Sequence, residues 1–425
     1  MAKLAINGGR KLLPTGLHVR WPQTDKADER ALLKVFRNGN WWRGGDVKSQ
    51  AASECGKFER AFARYQSAPY GLCVCNGTLA VELALRAAGV RPGDEVIVPA
   101  LSFVVSASAA LPLAAIPVFA DCDPKTFQPD AASIEAAISP RTAAIVIVHF
   151  GGYPANLDRI VRISRKHKIP LIEDSAHAQG TQWRGKGIGS YGDYGTFSFQ
   201  QSKALTSGEG GIVLARSLDH WRRAYRFHNL GRLESKGFYD FYEPSSNFRL
   251  TDLQGALLNS QFAKMKSQVR VKMANARRLS KLLREIGGVE PLPEDKRITR
   301  RGYYYYVFRY DSRQFKGLHR EDFLAAVRAE GVGIGHGYGT PIHKYPLFQN
   351  MKVPAKYTGA QYKKVSCPNA ERACRDEMCT IHQPALLADR KTIAKIAEAI
   401  AKVKDNVDEL LPATQGRGKR AKNKK

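Results

Sequence analysis

Between about residues 70 and 215 the chain alternates short apolar runs with amphipathic helical stretches. No other feature restricts the fold as much. The runs are YGLCVC (70–75), EVIVP (95–99), IPVFA (116–120), AAIVIVHF (143–150), IPLIED (169–174), GTFSF (195–199) and GIVLA (211–215). Helical patterns separate several of them, namely TLAVELALRAAG (78–89), DAASIEAAI (130–138) and NLDRIVRISRKH (156–167). Near-continuous apolar strands joined by helices predict an α/β fold with a mainly parallel sheet covered on both faces. Ligands of such sheets bind beyond the carboxyl ends of the strands, so the residues just after each run are where chemistry is expected.

The flanks divide by pattern. Residues 1–60 read as an N-terminal arm with helices, and 61–260 as a large α/β domain. Residues 250–287 read as long helices, so 261–411 becomes a linking helix plus a smaller α+β domain. That domain opens with the strand YYYYVFRY (303–310) and the helix REDFLAAVRAEG (320–331), and closes with a helical stretch over 388–411. Residues 412–425, ending in GRGKRAKNKK, read as a basic disordered tail.

The formal charge of +28 first suggests nucleic acid or a membrane surface. Much of it lies in the tail and along solvated helix faces such as Lys264 to Arg284, and no zinc spacing, RNA-binding aromatic signature or helix-turn-helix pattern accompanies it. An anionic cofactor or substrate would also benefit from the field. No run reaches the about 20 apolar residues that span a bilayer, and the N-terminus lacks the pattern of a secretory signal. Seven cysteines without a CxxC pair fit a reducing, cytoplasmic setting, and no metal site is expected.

Two glycine-rich stretches imitate phosphate-binding loops. GTQWRGK (180–186) nearly matches the P-loop pattern, but Gly187 stands where Ser or Thr is required. GIGSYG (187–192) satisfies GxGxxG, yet a strand rather than a helix follows it, so both read as turn-rich connectors.

Three other segments carry candidate chemistry. Asn76-Gly77-Thr78 precedes a helix expected to begin at Leu79. Its N–H groups and hydroxyl suit a phosphate, and Thr78 is equally suited to be an N-cap. IPLIED delivers Glu173 and Asp174 to a strand end, with His177 close behind; a carboxylate there could ligate a metal, cap a helix or pair with a buried cation. FSFQQSKALTSGEGG sets Lys203 between a strand and a Gly-rich turn. There it is either a solvated loop lysine or a desolvated amine with lowered pKa and greater nucleophilicity.

Taken together, NGT, EDSAHAQG and FSFQQSKALTSGEGG resemble the DegT/DnrJ/EryC1/StrS family of sugar aminotransferases, in order across roughly residues 35–260 with weaker echoes to 400. The wording is similar to that of scyllo-inosose aminotransferases and 3-amino-5-hydroxybenzoate synthases. The resemblance implies fold type I of the pyridoxal 5′-phosphate (PLP) transferases, with a mainly parallel seven-stranded sheet. Lys203 is then the Schiff-base residue and proton shuttle, and Asp174 the partner of the pyridine nitrogen. Gly77, Thr78 and Ser198 would hold the phosphate, Phe103 would stack on the ring, and His177 would sit near its 3′-oxygen. Asn247, in SSNFRLTDLQGA, would reach a phosphate across a homodimer interface. Trp41 and Arg43, in NGNWWRGG, and His343, in TPIHKYP, are candidates for the substrate pocket.

Some family members are dehydratases with His at the lysine position; Lys203 favours amino transfer. Gln200 and Gln201 depart from many sugar-specific members, which puts a nucleotide-sugar substrate in doubt. The implied reaction is ping-pong transfer from L-glutamine or L-glutamate to a keto group of a sugar or cyclitol. The rival readings are an aromatising dehydratase and a non-catalytic PLP-binding regulator that contacts nucleic acid.

Overall fold

The computed structural model describes residues 3–45, 47–234, 236–350 and 362–411; the basic stretch at 412–425 lies outside the described residues. Strands β1 (Tyr70–Val74), β2 (Glu95–Pro99), β3 (Ile116–Ala120), β4 (Thr142–Val148), β5 (Leu171–Asp174), β6 (Tyr194–Ser198) and β7 (Gly211–Ala215) form one seven-stranded sheet. Their order is β1-β7-β6-β5-β4-β2-β3. Five strands pair in parallel, and β7 runs antiparallel between β6 and β1. The expected mainly parallel sheet between helices is present.

Side chains of a strand alternate between faces, and the core divides accordingly. Val96, Val98, Val146 and Val148 pack on one face with Ala80, Leu83 and Ala84 of helix α3 (Gly77–Ala87). Ile97, Ile145 and Ile147 pack on the other with Leu157, Ile160 and Ile163 of helix α4 (Leu157–His167). Helix α1 (Lys26–Asn38) and helix α2 (Glu54–Tyr65) precede the sheet, and helix α5 (Leu218–His228) follows β7.

Helix α6 (Asp252–Ile286) is a single 35-residue element started by a Thr251–Gln254 capping box. Its first half sends Leu258, Met265 and Val269 against Phe58 and Phe62 of α2. Its second half sends Ala276, Leu279 and Leu283 into a separate core. That core covers a four-stranded antiparallel sheet of β8 (Val289–Pro291), β9 (Tyr305–Tyr310), β10 (Ile334–Gly335) and β11 (Met378–His382), in the order β8-β9-β11-β10. Helix α7 (Arg320–Ala329) and helix α8 (Arg390–Asp405) complete it. The boundary expected at 260/261 thus falls inside one continuous helix shared by both cores. No helix among the described residues is long and apolar enough to cross a membrane.

Candidate active site

A cavity of about 590 Å³ opens at the carboxyl ends of the strands, within the range of small-molecule sites. It is lined by residues that follow four strands: Asn76, Gly77 and Thr78 after β1, Phe103 after β2, Asp174 and His177 at β5, and Ser198 and Lys203 at β6. The three motif segments therefore meet in one place.

At β1 the helix begins earlier than the sequence suggests. Asn76, not Thr78, is the N-cap of α3, its Oδ1 accepting the Leu79 N–H at 2.9 Å. The N–H groups of Gly77 and Thr78, in the helix's first turn beside the cavity, are left free of helical partners. Gly77 is required by close approach: a Cβ there would lie 2.6 Å from the Ser198 Cβ. Two free N–H groups, the positive end of an 11-residue helix and the Ser198 hydroxyl make a cradle for an anion.

On β5, Glu173 and Asp174 point to opposite faces. Asp174 faces the cavity and is 6% exposed. Its Oδ2 accepts from the Ser106 hydroxyl at 2.6 Å and its Oδ1 from the Ala176 N–H at 3.2 Å; Ser102 lies 2.8 Å behind Ser106. Burial pushes its carboxyl above the ordinary range although both donors and Lys203 favour the anion. A cationic N–H placed in the cavity would restore the balance.

Lys203 sits in the loop from β6 to β7. The TSGEGG turn closes this loop: Phe199 N donates to Gly210 O at 2.7 Å, Ser207 N to Phe199 O at 3.1 Å, and Gln201 N to Gly208 O at 2.7 Å. Gly208 and Gly210 take φ of 85° and 151°, which other residues rarely adopt. The Lys203 amine is thus turned inward. Burial pushes its pKa down, against Tyr304 and Asp174, which favour the ammonium.

His177 is buried and stacks on Tyr304 at 4.0 Å, and its Nδ1 accepts a long bond from Gly151 N at 3.4 Å. Burial, then Lys203 and His382, hold it well below the usual imidazole range, so its ring is neutral. Phe103 is 54% exposed, with its ring at the cavity wall 6.3 Å from Tyr338. Sequence reasoning missed Ser106 and the aromatic wall of Tyr304, Tyr305 and Tyr338. Ser106 lay in plain view in PALSFVVSAS, and Tyr304 in YYYYVFRY, which carries a strand signal that masks any other.

The three substrate candidates stand elsewhere. Arg43 is 3% exposed and its guanidinium lies 2.7 Å from the Glu59 carboxylate, which also accepts the Cys73 N–H; a second anion has no access to it. Trp41 stacks on Phe36 at 5.6 Å on the surface. His343 is fully buried 3.0 Å from Glu371 and against Phe119, a packing position. Asn247 is exposed and outside this cavity, its Oδ1 accepting from Arg249 N at 3.1 Å. The GxGxxG stretch does cradle an anion, but the protein's own. The N–H groups of Gly189, Tyr191 and Gly192 donate to Glu173 at 2.7–2.9 Å.

The donor set fits a phosphorylated, cationic, carbonyl-bearing ring: an anion cradle at Gly77, a buried carboxylate under-supplied with donors, and an inward amine on the same cavity. Comparison with known proteins agrees. A putative L-glutamine:3-amino-2,3-dideoxy-scyllo-inosose aminotransferase of Streptomyces kanamyceticus is 40% identical over 97% of this chain and 99% of its own. A 3-amino-5-hydroxybenzoate synthase of Amycolatopsis mediterranei (strain S699) is 36% identical over 90% and 96%. The crystal structure of a 3-amino-5-hydroxybenzoic acid synthase superposes with a TM-score of 0.81 at 34% identity, covering 90% of this chain and 97% of that one. The fold is accordingly that of the type I PLP-dependent transferases. With residues 22–401 matching its family profile, the chain belongs to the DegT/DnrJ/EryC1/StrS aminotransferase family and is an aminotransferase.

Proposed function

We propose that this aminotransferase uses PLP to move the amino group of L-glutamine, or L-glutamate, to a keto group of a cyclitol or related sugar. The observation that carries this is the convergence of Lys203 and Asp174 on one cavity. The names of the relatives add glutamine as donor and a scyllo-inosose as acceptor.

When bound, PLP supplies an electron sink for the carbon that loses or gains the amino group. The Gly77 and Thr78 N–H groups and the Ser198 hydroxyl would hold its phosphate, Asp174 its ring nitrogen, and Phe103 would cover a ring face. His177, neutral, offers a hydrogen bond without adding charge. Lys203 would hold the carbonyl carbon until an incoming amine took its place, and its freed amine would then take and return the proton at the substrate carbon; burial lowers its pKa. Asn247, exposed and outside this chain's cavity, would reach the phosphate of a second copy. The exposed Trp41, Trp42, Phe238, Tyr239, Phe241 and Tyr242 support such a pairing by leaving aromatic surface to cover. All seven cysteines are free, in keeping with a reducing compartment.

The test is half of the reaction. PLP-loaded protein mixed with L-glutamine alone is expected to convert its cofactor stoichiometrically to the pyridoxamine form, and a cyclitol ketone to reverse it. Lys203→Ala is expected to slow both halves by about a thousandfold or more, roughly 4 kcal/mol. Bound PLP that no amino donor converts would sink the reading. The likeness to 3-amino-5-hydroxybenzoate synthases favours one rival, dehydration with aromatisation. An amino-dehydroshikimate-type substrate that turns over while cyclitol ketones do not would select it.

A further inference from the structure

Tyr304 stands just before β9 and reaches from the small sheet into the cavity of the large one. The Lys203 Nζ lies 4.3 Å from the centroid of its ring. His177 stacks on the same ring, with the planes 19° apart. Its hydroxyl is 3.0 Å from the Ser202 Oγ, one residue before the lysine.

The ring is clamped. Tyr304 N donates to Gly151 O at 3.3 Å and Tyr304 O accepts from Gln383 N at 3.0 Å. His382 packs edge-on at 5.2 Å, and its Nε2 donates to Ser202 O at 3.1 Å. One aromatic residue therefore touches the amine, the neighbouring imidazole and the loop that carries the amine.

A lysine side chain is long and its rotamer freedom large, so an amine that must meet one carbon needs a guide. An aromatic face attracts the ammonium form, more so in a desolvated site. Burial acts the other way, and Asp174 already accepts from the Ser106 hydroxyl and the Ala176 N–H. Tyr304 and Asp174 both oppose burial, and Tyr304 is the one whose ring the amine lies against.

We propose that Tyr304 is the positioning residue of Lys203: its ring carries the amine, its hydroxyl fixes the loop through Ser202, and together they keep the amine aimed into the cavity and basic enough to accept a proton there. The proposal rests on Lys203 being the cofactor-bearing residue. Tyr304→Phe keeps the ring but releases Ser202; Tyr304→Leu removes both supports.

The first readout is the apoprotein. Arylation of Lys203 by fluorodinitrobenzene, mapped by peptide mass spectrometry across pH, reports the basicity of the amine without any turnover. The midpoint is expected to fall by about one pH unit in Tyr304→Leu and by about half of that in Tyr304→Phe. In the loaded enzyme, kcat is expected to fall about tenfold for Leu and less for Phe, with the KM for glutamine nearly unchanged. A role in packing alone would lower the thermal midpoint and leave the labelling midpoint in place. If neither variant moves that midpoint, or Tyr304→Phe alone where Tyr304→Leu does not fold, the proposal is overturned. Borohydride reduction of the loaded parent protein, with mapping of the labelled lysine, separately tests the functional reading. Cofactor found away from Lys203 defeats that reading whatever Tyr304 does.

Discussion

Glu173 and Asp174 are consecutive, both buried, and differ in what surrounds them because a strand turns successive side chains to opposite faces. Glu173 meets a full set of donors: three loop N–H groups and His149 Nε2 at 3.0 Å, which carries the proton because Nδ1 accepts the Ala155 N–H. Burial opposes its charge, yet these donors hold its carboxyl below the usual range. Asp174 meets two donors and a cavity, and burial prevails. Two carboxylates with the same burial are thus told apart by donor supply. The satisfied one holds a loop in place, and the under-supplied one faces an open cavity.

The largest effect should come from exchanging the charge on the cavity face. Asp174→Asn is expected to lower kcat about a thousandfold, roughly 4 kcal/mol, while the thermal midpoint holds or rises, since an under-supplied buried charge is removed. Steady-state kinetics beside calorimetry checks both. Glu173→Gln should invert that result. An amide sets N–H groups against N–H groups, so denaturant titration should show a loss of about 3 kcal/mol with cofactor affinity changed little. If Glu173→Gln instead abolished cofactor binding in a stable protein, the division between the faces would be wrong.

A smaller effect extends the comparison to cations. Lys272 on α6 is fully buried with a single bond, to Gln383 Oε1 at 3.2 Å, and burial lowers its pKa from 10.5 to about 7. Between those values the unfolded chain binds the proton and the folded one does not, so stability at this site rises with pH across that window. Below pH 7 both states are charged and the cost of burial is complete. Lys272→Met is therefore expected to raise the thermal midpoint by a few degrees at pH 6, with the gain fading toward pH 10. Lys203, whose pKa burial also lowers but against Tyr304 and Asp174, should show a smaller gain of the same sign on substitution by Met.

Much of the architecture was legible because strand burial writes itself as apolar runs: each of the seven runs falls on a strand, and 156–167 and 320–331 on helices. The small sheet was read only through YYYYVFRY. Its partner MCTIH at β11 is a short strand of mixed pattern, and pairing with β9 rather than local pattern makes it a strand. Gly77, Asp174, His177, Ser198 and Lys203, singled out in the sequence, line one cavity because each lies at or just beyond the carboxyl end of a strand. Arg43 and His343 lie outside this cavity, paired with Glu59 and Glu371; a sequence shows a charge or an imidazole but not its partner.

By itself the sequence determined the sheet, its helices and the family, since these rest on periodicity and short local motifs. Only the tertiary structure decided which polar groups are satisfied. That depends on residues far apart in the chain, such as Ser106 against Asp174 and Tyr304 against Lys203, arriving within hydrogen-bonding or van der Waals range. The energy of a buried polar group is set by those arrivals, and so is the line between a structural residue and a chemical one.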